Sequence, residues 1–227
     1  MKSEEISAFL SERIAAGDFP SAVYLVAERG EIVLQDALGL AVVEPEKIEA
    51  RIDTIYDLAS LTKPLVTGLL CAKLIEAGEI NLSDKIAKYF NEFDTEEKRE
   101  ITIENLLTHT SGFTAWKPFY LLSNFRAKIP ELIASEPLEN PLDSKVVYSD
   151  LNFLILTFLL EKLFDNRLDE IAARHLFSPL NLENTLFNPP FALRPKIAAS
   201  EFGNFYERQT CLDLGLDPGG REQQDYK

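Results

Sequence analysis

The longest apolar run in the chain, Leu151–Leu160, constrains its fold more than any other feature. It is too short to cross a bilayer, which takes about 20 helical residues. A helix that is apolar on most sides must instead be surrounded by protein. The stretch from Asn152 to Phe164 is therefore expected to be a buried helix. Other segments also show helical periodicity. Leu65 to Ile75 stops at Gly78, Ile103 to Leu107 is short, and Lys128 to Ser135 and Leu168 to Leu176 follow. Ser83 or Asp84 is expected to cap a further helix running through Phe90.

Strand signals are confined to the front. Residues 3–16 read as an opening helix, with Ile6, Phe9, Leu10 and Ile14 on one face and Gly17 ending it. Ala22–Ala27 and Ile32–Leu34 flank the turn residues Arg29 and Gly30, which is a hairpin signal. A hairpin alone is marginal as a sheet, and after residue 190 few strand candidates remain, although Lys196 to Glu201 could return to the sheet. Strands first and helices afterwards is an α+β pattern. The expected organisation is a helix and hairpin over 1–58, a helical domain over 59–186, and a partial return to the sheet with a polar tail over 187–227. The tail after Leu216 has little to bury and is expected to be disordered.

The net charge of −14 opposes binding to phosphate backbones and anionic lipid, so neither nucleic acid nor a membrane surface is an expected partner. Cys71 and Cys211 show no metal-binding or disulfide spacing, and Cys71 reads as a small buried thiol. The two histidines lack a nearby carboxylate or cysteine cluster, so no metal site is expected. No secretory signal is read at the start, and the expected location is the cytoplasm.

Ser60-Leu61-Thr62-Lys63 carries the chemistry. Residues three apart on a helix share a face, so this hydroxyl and amine can meet. A serine hydroxyl needs a neighbouring base, and a partly desolvated lysine can be one. If Ser60 opens a helix, its N–H lies at the positive end of the dipole and can help hold an oxyanion. Taken alone, the tetrapeptide reads more readily as a capping serine followed by a surface lysine.

Its surroundings are more specific. Leu106-Leu107-Thr108-His109-Thr110-Ser111-Gly112 and Tyr148-Ser149-Asp150 follow in order, and Pro179–Thr185 comes later. Over roughly residues 5–205 the chain resembles the serine β-lactamase and penicillin-binding-protein superfamily, in particular its class C-like branch of esterases and D-amino-acid-peptide hydrolases. The resemblance implies a β-lactamase/transpeptidase-like fold with the helical domain beside an antiparallel sheet. It implies an acyl-enzyme route on a small ester, amide or lactam, with Ser60 as nucleophile, Lys63 as proton holder and Tyr148 as proton shuttle. No cofactor is implied. Asp150 stands where the family usually has Asn, whose amide touches the lysine and the substrate. A carboxylate there would hold Lys63 charged, which points away from penicillin and towards esters or other substrates. His109 falls in what matches a structural turn of the family, and His175 reads as a packing residue.

No Lys-Thr-Gly or His-x-Gly follows Tyr148, although the family carries such a third motif on a late strand. The chain is thus expected to be a C-terminally truncated form with an incomplete sheet. Two readings remain open: an active serine hydrolase, or a non-catalytic fragment or pseudoenzyme of the same ancestry. A plain helical interaction module is the third and weakest reading. The sequence leaves the oligomeric state open.

Overall fold

A computed structural model describes residues 3–123, 125–200 and 205–216. These form two compact units, one comprising the described residues up to 58 together with 188–200, the other 59–187 together with 205–216. The tail after Leu216, expected to be disordered, lies outside the described residues.

The first unit opens with helix α1 (Ser3–Ala16), followed by strands β1 (Ser21–Glu28), β2 (Glu31–Val42) and the short β3 (Ile48–Glu49). β1 and β2 pair antiparallel, with Glu28 opposite Glu31. Arg29 and Gly30 both have positive φ (53° and 87°), the geometry of a turn whose twist matches that of the flanking strands. β3 adds to the other edge of β2, giving the order β1-β2-β3. Ser7 fastens α1 to the hairpin, its Oγ donating to Asp36 at 2.6 Å and lying 2.8 Å from the Tyr24 hydroxyl. After residue 190 the chain adds no strand to this sheet among the described residues, but Ile197 bridges Ile55 in parallel and the Ala199 N–H donates to the Ala41 carbonyl of β2 at 2.8 Å. The result is a small antiparallel sheet with a helix, as the α+β pattern predicts.

The second unit is helical. α2 (Leu69–Glu76), α3 (Ile103–Leu107), α4 (Phe119–Leu122), α5 (Ile129–Ser135), α6 (Asp150–Phe164) and α7 (Leu168–Ala172) follow in order, and α8 (Phe205–Asp213) joins them. α6 is the axis that the apolar run demands. Its Leu151, Ile155, Leu156, Leu159 and Leu160 are essentially inaccessible. They share one core with Leu70 and Leu74 of α2, Ile103 and Leu106 of α3, and Ile133 of α5. Each such side chain contributes roughly 1.5–3 kcal/mol on burial, so this core dominates the stability of the unit. Asp165 ends α6 in the left-handed conformation, φ 50°. Cys71 is buried in the same core, which pushes its thiol up to about 12.

Two local expectations are corrected. No helix runs from Ser83 or Asp84 through Phe90; only the 3-10 turns Ile86–Lys88 and Asn91–Phe93 form. Asp84 spends its carboxylate on the Asn81 N–H, Lys88 and the Tyr89 hydroxyl, and the Ile86 N–H donates across to Ile101. Ser60 does not open α2 directly either. It sits in a 3-10 turn, Ala59–Leu61, and a π-helical turn, Lys63–Gly68, leads into α2. Pro64, which has no N–H to give to a preceding turn, stands at the start of that π turn, a type of irregularity frequent at functional sites.

Candidate active site

Ser60 follows Ala59, a non-glycine residue with φ +43°, so the backbone is strained immediately before the hydroxyl. The turn places Lys63 Nζ 3.1 Å from Ser60 Oγ, to which it donates. Lys63 also meets the Asp150 carboxylate at 2.7 Å. Its Nζ lies 4.9 Å from the centroid of the Tyr148 ring. The structure thus brings together all four residues singled out in the sequence, Ser60, Lys63, Tyr148 and Asp150, within the helical unit. Burial on its own would lower the Lys63 pKa, but the Asp150 carboxylate and the Tyr148 hydroxyl outweigh it and raise it above the ordinary lysine value. Lys63 is an ammonium at neutral pH in this arrangement.

Two loops fix the geometry. The segment around His109–Ala115 runs beside Val147–Asn152, and hydrogen bonds fasten them at successive positions. The Val147 N–H donates to the His109 carbonyl at 2.9 Å and the Asp150 N–H to the Ala115 carbonyl at 2.8 Å. The Ser149 hydroxyl donates to the Thr114 carbonyl at 2.6 Å, and the Ser111 hydroxyl donates to Asn152 Oδ1 at 2.6 Å. Gly112 makes the bend possible. Its φ is +88°, and a Cβ there would run into the Asn140 carbonyl.

His109 belongs to the site more closely than its sequence neighbourhood suggests. Its Nδ1 accepts the Ser149 N–H at 3.1 Å, which places the ring proton on Nε2, and Asn152 Nδ2 lies 3.3 Å from the same nitrogen. The ring packs against Tyr148 at 4.8 Å between centroids and against Phe153 at 5.2 Å. Burial lowers its pKa, the Lys63 charge lowers it further, and Asp150 opposes them. Its neutral ring props the Tyr148 side chain, which is itself exposed. Asn152 is fully buried and faces Ser111 and His109, so Asp150 is the residue two places after Tyr148 that reaches Lys63. His175 packs on Phe164 at 4.7 Å, in keeping with a packing role. Among the described residues no three His, Cys, Asp or Glu side chains gather as metal ligands, and no helix is long and apolar enough to span a membrane.

A cavity of about 660 Å³ opens beside Ser60, with Lys63 and Asp150 at the same end and Trp116, Phe119, Phe153 and Phe158 along its walls. The sequence carries a trace of it in the aromatic spacing of residues 113–125. Without the fold, that spacing cannot be told from ordinary core.

Helices gathered on a buried axis, a small antiparallel sheet and a Ser-x-x-Lys turn facing a tyrosine define a β-lactamase/transpeptidase-like fold. Solved structures with this fold include a class C beta-lactamase (TM-score 0.76, 17% identity, 88% of this chain and 56% of that one). Another is a penicillin-binding protein homolog from Caulobacter crescentus (TM-score 0.74, 18% identity, 98% and 63%). The family model described as Beta-lactamase matches residues 6–218, and the chain belongs to that family. In sequence it is 33% identical over 222 residues to a Salmonella typhimurium protein named "Putative D-alanyl-D-alanine carboxypeptidase", covering 88% of this chain and 51% of that protein. The chain spans about half the length of the curated relatives it matches.

Proposed function

We propose that the chain carries the nucleophile site of a serine hydrolase that works through an acyl-enzyme on an ester, amide or lactam. The observation that carries this reading is the Lys63 amine, held between Ser60 Oγ at 3.1 Å and Asp150 at 2.7 Å with Tyr148 beside it. Family membership and the relatives' names support the class of chemistry.

Lys63, in its neutral form, takes the Ser60 proton as Oγ attacks the carbonyl carbon. Tyr148 relays that proton from Lys63 to the departing alcohol or amine, which leaves the acyl group on Ser60 and Lys63 neutral again. Water then attacks the acyl carbon and gives up a proton to the same pair, which hands it to Ser60 Oγ as the acid departs. Asp150 holds Lys63 in its charged form, so only a small share of molecules has the base ready. That charge also favours a second reading, a chain that holds ligands and turns over slowly or not at all.

The test is intact-protein mass after incubation with a fluorophosphonate, an activated ester and a penicillin, beside Ser60→Ala. The hydrolase reading expects an adduct with the fluorophosphonate and the ester that disappears in Ser60→Ala. A folded protein that gains no mass from any of the three would overturn that reading and leave the binding one.

A further inference from the structure

The cavity beside Ser60 has a composition that speaks to its ligand. Its volume, about 660 Å³, lies within the roughly 300–1,000 Å³ typical of small-molecule sites. Away from the nucleophile its walls are mostly aromatic and aliphatic, with Trp116, Phe119, Phe153, Leu154, Phe158 and Leu168, and Ser123 and Thr157 are small polar residues among them. Aliphatic and aromatic walls of this kind reward an apolar group entering from water.

The charges around the cavity are more informative than the apolar walls. Three cationic side chains line it, Lys63, Lys117 and Arg126, and each is matched by a carboxylate of the chain itself. Lys63 holds Asp150 at 2.7 Å, and Lys117 holds Glu136 at 3.1 Å. Arg126 grips Glu161 with both terminal nitrogens, at 2.5 Å and 2.8 Å, and its guanidinium lies 4.5 Å from the Phe158 ring centroid. An anionic ligand group placed here would have to displace one of these carboxylates or stay unpaired in an apolar space, and either is costly. The bidentate Arg126–Glu161 contact is the hardest of the three to displace.

We infer that this cavity selects an uncharged, apolar acyl group, aliphatic or aromatic, and rejects one that bears a carboxylate at its far end. The inference deepens the acyl-enzyme reading and rests on it for the word acyl, but the selectivity is a property of binding and can be read without catalysis. Trp116, the single tryptophan of the chain, lines the cavity and is a built-in fluorescent reporter.

The experiment uses the full chain carrying Ser60→Ala, so that no covalent step intervenes. Methyl butyrate, hexanoate and octanoate are titrated while Trp116 emission is followed, alongside monomethyl suberate as the carboxylate-ended counterpart of the octanoate. Kd is expected to fall about fourfold for each methylene added, until the space is filled. Monomethyl suberate is expected to bind at least tenfold more weakly than methyl octanoate. Leu154→Asn, on the cavity wall, should weaken octanoate more than butyrate, while Leu163→Asn, outside the lining, should change neither. A Kd independent of chain length, equal or tighter binding of the suberate, or no change in emission with a folded protein each overturns the inference. The ester series needs no variant beyond Ser60→Ala, so a misfolded Leu154→Asn does not blunt it. If the chain-length dependence holds and wild-type protein takes no fluorophosphonate, the acyl-enzyme reading fails while the pocket's selectivity stands.

Discussion

Replacing Asp150 with asparagine keeps the shape of the side chain and removes the charge that holds Lys63 as an ammonium. An exposed lysine–carboxylate pair contributes about 0.2–1 kcal/mol, whereas breaking a buried one costs about 3–5 kcal/mol. The Lys63 side chain is 14% exposed and that of Asp150 38%, so solvent screens the pair in part and about 1–2 kcal/mol is a fair discounted value. At roughly 1.4 kcal/mol per factor of ten, its loss enlarges the neutral fraction of Lys63 about 5–30-fold at any pH where the ammonium dominates. If neutral Lys63 is the base, Asp150→Asn should react with a fluorophosphonate about 5–30-fold faster near neutral pH. The two pH profiles should converge at alkaline pH, where the wild-type lysine also loses its proton. The assay is the second-order rate of mass gain on the intact protein across a pH series, with Ser60→Ala as blank. A rate that is unchanged or lower at every pH would refute the reasoning. It would mean that Lys63 acts only as a charge, and that the proton leaves Ser60 by another route.

Other substitutions test the scaffold. His109 binds a proton less readily in the folded protein than a free histidine does, so the unfolded chain gains protons first as pH falls below the ordinary histidine value. Stability should therefore be greatest above that range and decline through it, and the thermal midpoint of His109→Gln should depend less on pH between about 7 and 5. Gly112→Ala adds a Cβ at φ +88° against the Asn140 carbonyl. It should cost at least about 1–2 kcal/mol for the left-handed backbone alone, seen as a lower denaturant midpoint. Asn152→Leu leaves the buried Ser111 hydroxyl without the acceptor it now meets at 2.6 Å. A loss of about 1–3 kcal/mol is expected in urea unfolding, and pairing it with Ser111→Ala should recover part of that loss.

Much of the helical unit could be read from the sequence because its signals are physical necessities. The run Leu151–Leu160 had to be enclosed, and its neighbours with helical periodicity enclose it. The hairpin followed from a turn that needs positive φ at Arg29 and Gly30. Residues 83–90 misled because the acid that caps helices elsewhere is here occupied by Tyr89 and Lys88, partners that sequence spacing does not reveal. Ser60, Lys63, Tyr148 and Asp150 stood out through ordered motifs and the family resemblance those motifs carry, and the fold brings the four together. In the sequence His109 shows only as part of a turn. Its place against Tyr148 depends on two loops brought together by hydrogen bonds between residues about forty positions apart. The lining of the cavity was not legible, because an aromatic residue on a pocket wall and one in a core look the same in one dimension. The match of each cation to a carboxylate depends on folding that brings Arg126 to Glu161, 35 residues away.

Ser60, Lys63, His109, Tyr148 and Asp150 come from three separate stretches of one compact unit, and nothing local holds them in line when that unit opens. Loops of this length close only as folding rewards them. If Ser60 is the nucleophile, its reactivity is then a clock for the folded state of the helical unit. Cys71, sealed in the same core, keeps the opposite time, since its thiol meets a reagent only after the core has opened. In a denaturant series, the hydroxyl should fall silent at the concentration where the thiol becomes reactive. Two covalent labels, read in one mass spectrum, would follow the opening of a single core from its inner and outer sides.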